Sequence, residues 1–299
     1  MCTASLLSAQ LPNIGGCQIF PSNNVWNTRI DSLPLDPNSS AYVSTIGPSS
    51  PAHPDFGQDW GNGIPYVVVP QNQPGVLIEH SNYGADPGPY PIPPNPPIEG
   101  GAQSDGDRHV LVVQQGTCKL YELFSAYPLP DGNWVVGSAA IFDLNSNQLR
   151  PTDQSSADAA GLPILPGLVR YDEVESGVIN HALRFTAPMT AAYFVWPARS
   201  WASSLSGSQY PPMGQRFRLK ASFDISSFPQ RVQVILQALK TYGMILADNG
   251  ASWFISGVPD PRWNDDEMHQ LTRVHGSDFE AVDESSLMID PNSGQAGGS

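Results

Sequence analysis

Between residues 64 and 144 the sequence repeatedly spells out a short run of branched and aromatic residues and then interrupts it. The runs are IPYVVV (64–69), VLIEH (76–80), HVLVV (109–113), KLYELF (119–124) and NWVVGSAAIFDL (133–144), each bounded by Gly, Pro, Asn or Asp. Residues of this kind fit a pleated, half-buried strand, and the bounding residues are those that make turns. The pattern resumes with VINHALRFT (178–186) and AAYFVW (191–196). In QRFRLKASFDI (215–225), Arg216, Arg218 and Lys220 alternate with Phe217, Leu219 and Ala221, as a strand with one wet face requires. MILADNG and WFISG read as two further short strands around an Asn-Gly turn.

Only one stretch has helical periodicity. Val232, Ile235, Leu236 and Leu239 form one apolar stripe, Pro229 suits a first turn, and Gly243 suits an end. Many strands and one amphipathic helix, at about 229–242, predict a mostly β protein: an antiparallel β-sandwich or jelly roll with long Pro/Gly-rich loops. The expected organisation is a single β-rich domain over 1–283, with an irregular N-terminal arm (1–60) and a flexible tail (284–299). Residues 82–107 carry too many prolines for a helix or a central strand and are expected to form a long ordered loop, either functional or a connector.

Composition narrows the function classes. Charged residues make up 14% of the chain, below the roughly 25% of ordinary domains, while Gly (27) and Pro (30) are abundant. The formal charge is −14, and Lys119, Lys220 and Lys240 are the only lysines. A nucleic-acid binder needs a basic footprint to neutralise phosphates, and an anionic membrane surface asks for the same, so neither partner is expected. No window approaches the ~20 apolar residues of a membrane-crossing helix. The opening MCTASLLSAQLPNIGGCQIF reads as a mature N-terminus behind an added Met, which places the chain outside the cell after removal of a signal peptide. Cys2, Cys17 and Cys118 allow one disulfide and one spare thiol, either Cys2–Cys17 or Cys17–Cys118, or a set of buried thiols.

Candidate chemistry lies where ionisable groups fall on apolar strand faces. Asp107 and His109 share a face with Leu111 and Val113, Glu122 with Leu120 and Phe124, and His181 with Leu183 and Phe185. Burying such groups is costly unless they pair, bind a metal or line a wet cavity. If the three strands are neighbours, the four groups converge, either as acid/base residues in a substrate groove or as a His109/Glu122/His181 site for a divalent metal. The bland reading is that each histidine is a satisfied core residue. Glycoside hydrolysis needs two carboxyl groups, and Glu122 with Asp172 is the best pair, Asp107 being the substitute; Asp172 and Glu173 are read on a strand, where adjacent side chains point to opposite faces. Asp143 and Asp248 are further candidates, although Asp248 precedes Asn-Gly and reads more naturally as a turn former. Seven tryptophans (26, 60, 134, 196, 201, 253 and 263) offer stacking platforms for sugar rings; Trp196 and Trp201, flanking Arg199, are the candidates for a groove, with Arg170 and Tyr171 beside Asp172. The sequence contains no G-x-S-x-G, H-E-x-x-H, P-loop or G-x-G-x-x-G motif.

The run SADAAGLPILPGLVRYDEVESGVINHALRFT, with PPMGQRFRLKASFDIS, KTYGMILADNG and SGVPDPRWNDD, resembles a family of secreted microbial proteins with no established activity. The resemblance covers most of residues 17–283. It implies a link to polysaccharides by association with carbohydrate-degrading settings, and it transfers no catalytic residue. The expectation is a secreted carbohydrate-active enzyme, a glycoside hydrolase on a neutral polysaccharide, without a cofactor. Glu122 or Asp107 would serve as acid and Asp172 as base or nucleophile, with His109 and His181 setting their protonation. The alternatives are a non-catalytic glycan-binding or surface protein and the metal-dependent enzyme.

Overall fold

A computed structural model describes residues 11–59, 61–80 and 83–298. The chain is mostly β, arranged as several sheets. A four-stranded sheet runs in the order Ser138–Asp143, Lys119–Phe124, Val110–Gln114, Tyr66–Val69. A six-stranded sheet runs Phe279–Ala281, Arg216–Leu219, Met244–Asn249, Leu183–Ala187, Phe254–Ser256, His53–Asp55. A three-stranded sheet (Ile78–His80, Trp134–Val136, Tyr127–Pro128) and a two-stranded ribbon (Asn13–Ile14, Cys17–Gln18) complete it.

The two faces of the four-stranded sheet serve two different cores, because strand side chains alternate. Leu111, Val113, Leu120, Ala140 and Phe142 join the main core, together with Leu183, Phe185, Ile245 and Ile255 of the six-stranded sheet. Val110, Val112, Tyr121, Leu123 and Ala139 face the other way and pack with Trp134 and Val136 of the three-stranded sheet. The proline-rich segment lies against that second core: Tyr90 and Ile92 are buried in it, and Ala85 bridges to Ala139. The long loop is therefore built into the fold.

Several expectations are corrected. The sheets are mixed and not purely antiparallel: Leu183–Ala187 runs parallel to Met244–Asn249, and Tyr66–Val69 parallel to Val110–Gln114. MILADNG and WFISG do not pair as a hairpin; each borders the strand Leu183–Ala187 on its own side. Residues 191–196 form only isolated bridges, at Ala191 and Phe194. The amphipathic helix is present as Gln230–Thr241 and packs over Arg216–Leu219. Gly243 follows it at φ +66°, where an added Cβ would lie 2.2 Å from the carbonyl oxygen of Phe217. Ser39–Ile46, Tyr171–Ser176 and Asp265–Met268 are also helical, so the N-terminal arm is less irregular than expected. The tail is not frayed. Leu287 and Ala296 are buried with Ile30, Leu33 and Val282, and Asn24 bridges to Gln295. The disulfide joins Cys17 to Cys118, pinning the N-terminal ribbon to the four-stranded sheet, while Cys2 lies outside the described residues. Among the described residues no helix is long and apolar enough to cross a membrane.

Candidate functional site

Glu122 and His109 do lie on one face of one sheet, as alternation predicts. Glu122 pairs with Leu111 and Ala140 in the register and is fully buried. Its carboxylate caps a short 3-10 helix, Leu165–Gly167, accepting the N–H of Ile164 at 2.8 Å and that of Leu165 at 2.9 Å. Burial pushes its acid up to about 7, a rise opposed by the Leu165 and Ile164 amides. A carboxyl group sealed in the core and spent on backbone donors has no route to a substrate.

His109 is equally committed. Its Nδ1 meets Glu99 Oε2 at 2.6 Å and its Nε2 meets the Ala157 carbonyl oxygen at 3.1 Å, so both ring nitrogens act as donors. Burial disfavours the charged ring, yet the Glu99 carboxylate overrides it and lifts His109 to about 9. Burial would raise Glu99, but the His109 cation holds it below its ordinary value. Glu99 comes from the proline-rich loop, which explains why that loop is held so closely.

His181 is elsewhere. Its Nδ1 donates to the Ala182 carbonyl oxygen at 2.8 Å, and its Nε2 lies 3.1 Å from Glu173 Oε2 and 3.3 Å from Arg170 Nη2. Arg170 also pairs with Glu173. His109, Glu122 and His181 therefore share no common point, and among the described residues no cluster of His, Cys, Asp and Glu is arranged to hold a metal ion. The expected pairing of Glu122 with Asp172 also fails. The segment after Arg170 is a helix, not a strand, so successive side chains diverge by about 100°. Glu173 turns inward, whereas Asp172 is 79% exposed and pairs with Arg262. Asp107 is exposed as well. Tyr171 packs edge-on against Trp263 under the Arg262 guanidinium. Arg199 is buried and holds the tail, donating to the Pro291 carbonyl and to Asn292 Oδ1. Trp196 also ties the tail, through the Ser293 carbonyl.

The residues that converge on an open cavity are different ones. Arg184, on the strand Leu183–Ala187, points toward the four-stranded sheet and grips Asp158 with two parallel 2.9 Å bonds, while its Nη1 donates to Ser256 at 2.6 Å. Asp158 sits in the crossing loop, where the Ser156 hydroxyl accepts its N–H and donates to the Leu162 carbonyl. Beside this pair is Asp248, 3.7 Å from Arg184, with its Oδ2 accepting the N–H of Ala159 at 3.3 Å and its Oδ1 that of Asn249 at 2.7 Å. Between Phe185 and Thr186 the register with Met244–Asn249 slips by one residue, leaving Ala247 unpaired. Such a bulge re-aims the side chains beyond it. Asp248, just past the bulge, keeps 26% of its side chain exposed, against 0% for Asp158.

Asp158 and Asp248 line a cavity of about 630 Å3 whose other walls include Tyr83, Phe124, Asp153, Ser155 and Trp201. Tyr83 and Trp201 are exposed, at 67% and 40%. Burial raises the Asp248 acid to about 8, with the Asp158 charge adding to the rise and Arg184 opposing it. Asp248 thus presents a carboxyl group of raised pKa to the cavity, and its neighbour Asp158 is ion-paired with Arg184 behind it. Of the sequence-derived candidates Trp201 reaches this place, and so does Asp248, which the sequence favoured as a turn former. Asp158 gave no signal, because it lies on no strand or helix; the Pro- and Gly-flanked Ala-rich context around it was the one hint.

Comparison with protein-family models, with curated protein sequences and with solved structures finds no match to this chain.

Proposed function

We propose that the chain is a secreted carbohydrate-active enzyme, a glycoside hydrolase on a neutral polysaccharide, and that its proton donor is Asp248. The observation that carries this reading is the carboxyl group of Asp248, raised to about 8 and facing a cavity of about 630 Å3. A general acid for a glycosidic oxygen must still hold its proton at working pH, which an ordinary aspartate does not. The volume falls within the range of small-ligand sites. Trp201 and Tyr83 at the rim supply flat apolar faces of the kind sugar rings stack against.

The second carboxyl group is assigned to Asp153. Asp158 is sealed behind Arg184 and spent on its guanidinium, which leaves it unavailable as base or nucleophile. Asp153 is the remaining carboxyl group on the wall, and it sits at φ +64°, a conformation that non-glycine residues adopt chiefly in turns and at strained functional positions. Neutral substrates are favoured because three aspartates line the cavity. Secretion agrees with the Cys17–Cys118 bond, since disulfides persist in oxidising compartments.

The test is release of reducing ends across a panel of neutral polysaccharides. Asp248→Asn should lower kcat by at least 100-fold with KM nearly unchanged, and Trp201→Ala should chiefly raise KM. Full turnover by Asp248→Asn would remove the assignment. A second reading, a non-catalytic glycan binder, draws on the same aromatic rim; it requires affinity without any product and is indifferent to Asp248→Asn.

A further inference from the structure

A second cavity shares no wall residue with the first. It has a volume of about 220 Å3 and lies where the C-terminal segment folds back over the edge of the six-stranded sheet. Its walls combine two chemistries. Val195, Trp196, Val282 and Met288 are apolar, and Asp36, Asp283 and Glu284 carry carboxyl groups. Glu284 is 5% exposed, and its Oε1 has no hydrogen-bond partner. Its other oxygen lies 3.5 Å from Arg216 Nη1, a long contact for an ion pair. Arg216 does not depend on it, because the guanidinium already donates to the carbonyls of Tyr242, Val25 and Thr28.

A buried carboxyl oxygen left without a donor is costly, and an orphan of this kind in a native fold calls for an explanation. The neighbouring carboxylates make a second cation favourable there. Asp36 and Asp283 each accept a single backbone N–H within their own turns, from Asn38 and Ser285. Three carboxyl groups thus line the cavity with no Lys, Arg or His among its lining residues, and Arg216, behind the wall, meets Glu284. Burial raises Glu284 to about 7, with Arg216 opposing the rise and Asp283 adding to it, and burial likewise raises Asp36. In both, the Asp283 charge adds to a rise that burial leads.

We infer that this cavity binds a small primary ammonium ion, its N–H donating to Glu284 Oε1 beside Asp36 and Asp283 and its short hydrocarbon body lying against Trp196, Val195 and Met288. The need for an N–H donor selects a primary ammonium over a quaternary one, which can offer charge and cation–π attraction to the Trp196 ring but no hydrogen bond. A hydrated inorganic ion does not match the apolar walls.

The experiment is calorimetric titration of the intact protein with n-butylammonium chloride at pH 7.5, with tetramethylammonium chloride as the comparison. Saturable binding at one site per chain is expected, with affinity for n-butylammonium at least tenfold above that for tetramethylammonium. Glu284→Gln, which keeps shape and removes the charge, should weaken binding at least tenfold. Should that variant not fold, Asp283→Asn replaces it: the amide oxygen keeps the Ser285 contact, and a weakening of about threefold is expected. Absence of saturable heat, equal affinity for the two cations, or unchanged binding by a folded Glu284→Gln protein would each overturn the inference. The first of these would mean that water alone satisfies Oε1. Polysaccharide turnover reads the other cavity and is independent of every outcome here.

Discussion

Replacing Arg184 by methionine tests whether the charged layer between the two large sheets is organised as described. Arg184 holds Asp158 through two 2.9 Å bonds, with both side chains almost wholly out of solvent, at 5% and 0%. Methionine roughly fills the stem but supplies no donor. It leaves the buried Asp158 carboxylate without its counter-ion and next to Asp248. Breaking a buried pair by removing one partner costs about 3–5 kcal/mol, because the remaining charge stays desolvated. Loss of the 2.6 Å bond to Ser256 falls within that range. For a chain of this size each kcal/mol moves the melting midpoint by about 2 °C, so a drop of roughly 6–10 °C is expected.

Urea denaturation followed by tryptophan fluorescence gives the free energy directly, because four of the tryptophans (26, 134, 253 and 263) are buried. Adding Asp158→Asn to Arg184→Met removes the orphaned charge and should recover about half of the loss, a coupling of roughly 2 kcal/mol in the double-mutant cycle. A single-mutant cost below about 1 kcal/mol, or no recovery in the double mutant, would refute the reasoning: Asp158 would then have another partner or a path to water.

Two further outcomes follow from the same structure. The Cys17–Cys118 bond closes a loop of 101 residues, so Cys118→Ser should cost about 2–5 kcal/mol in urea denaturation, and a cost near zero would mean that the reduced chain keeps the ribbon in place by packing alone. His109 titrates at about 9 in the folded chain against about 6.5 when unfolded, so its contribution is complete below about pH 6.5 and is lost as pH rises through about 9. His109 alone should lower stability by about 3 kcal/mol between pH 6.5 and 9.5, and the raised acids of Glu122 and Asp248 add to the fall below about pH 8; His109→Gln should flatten the upper part of the curve, a flattening whose absence would contradict the pairing with Glu99.

The strands were legible because their chemistry is local: five of the runs between 64 and 144 and the helix at 230–241 stand close to where period and turn residues put them. Partnership was not legible. Whether Leu183–Ala187 runs parallel or antiparallel to Met244–Asn249 depends on where the excursion over residues 188–243 ends, and no local pattern encodes that. The site was missed for the same kind of reason. Strand alternation correctly placed Glu122 and His109 facing inward, but inward here means solid core, where a turn of 3-10 helix and a distant loop carboxylate satisfy them. Asp248 resembled a turn former because Asn-Gly follows it. A bulge at Ala247, invisible in the sequence, turns it toward the cavity. Tyr171–Ser176 misled because six residues are too few to display a helical period.

The central claim is that Asp248 keeps its proton at neutral pH at the floor of the large cavity. Carboxyl-carbon NMR of protein labelled at aspartate, with the signal assigned by comparison with Asp248→Asn, reads this directly. The expected result is a single titration with its midpoint at about 8, moving upward in Arg184→Met, where the opposing cation is gone. A midpoint near the ordinary aspartate value of about 4 would contradict the account, since Asp248 would then be ionised at neutral pH and unable to donate a proton.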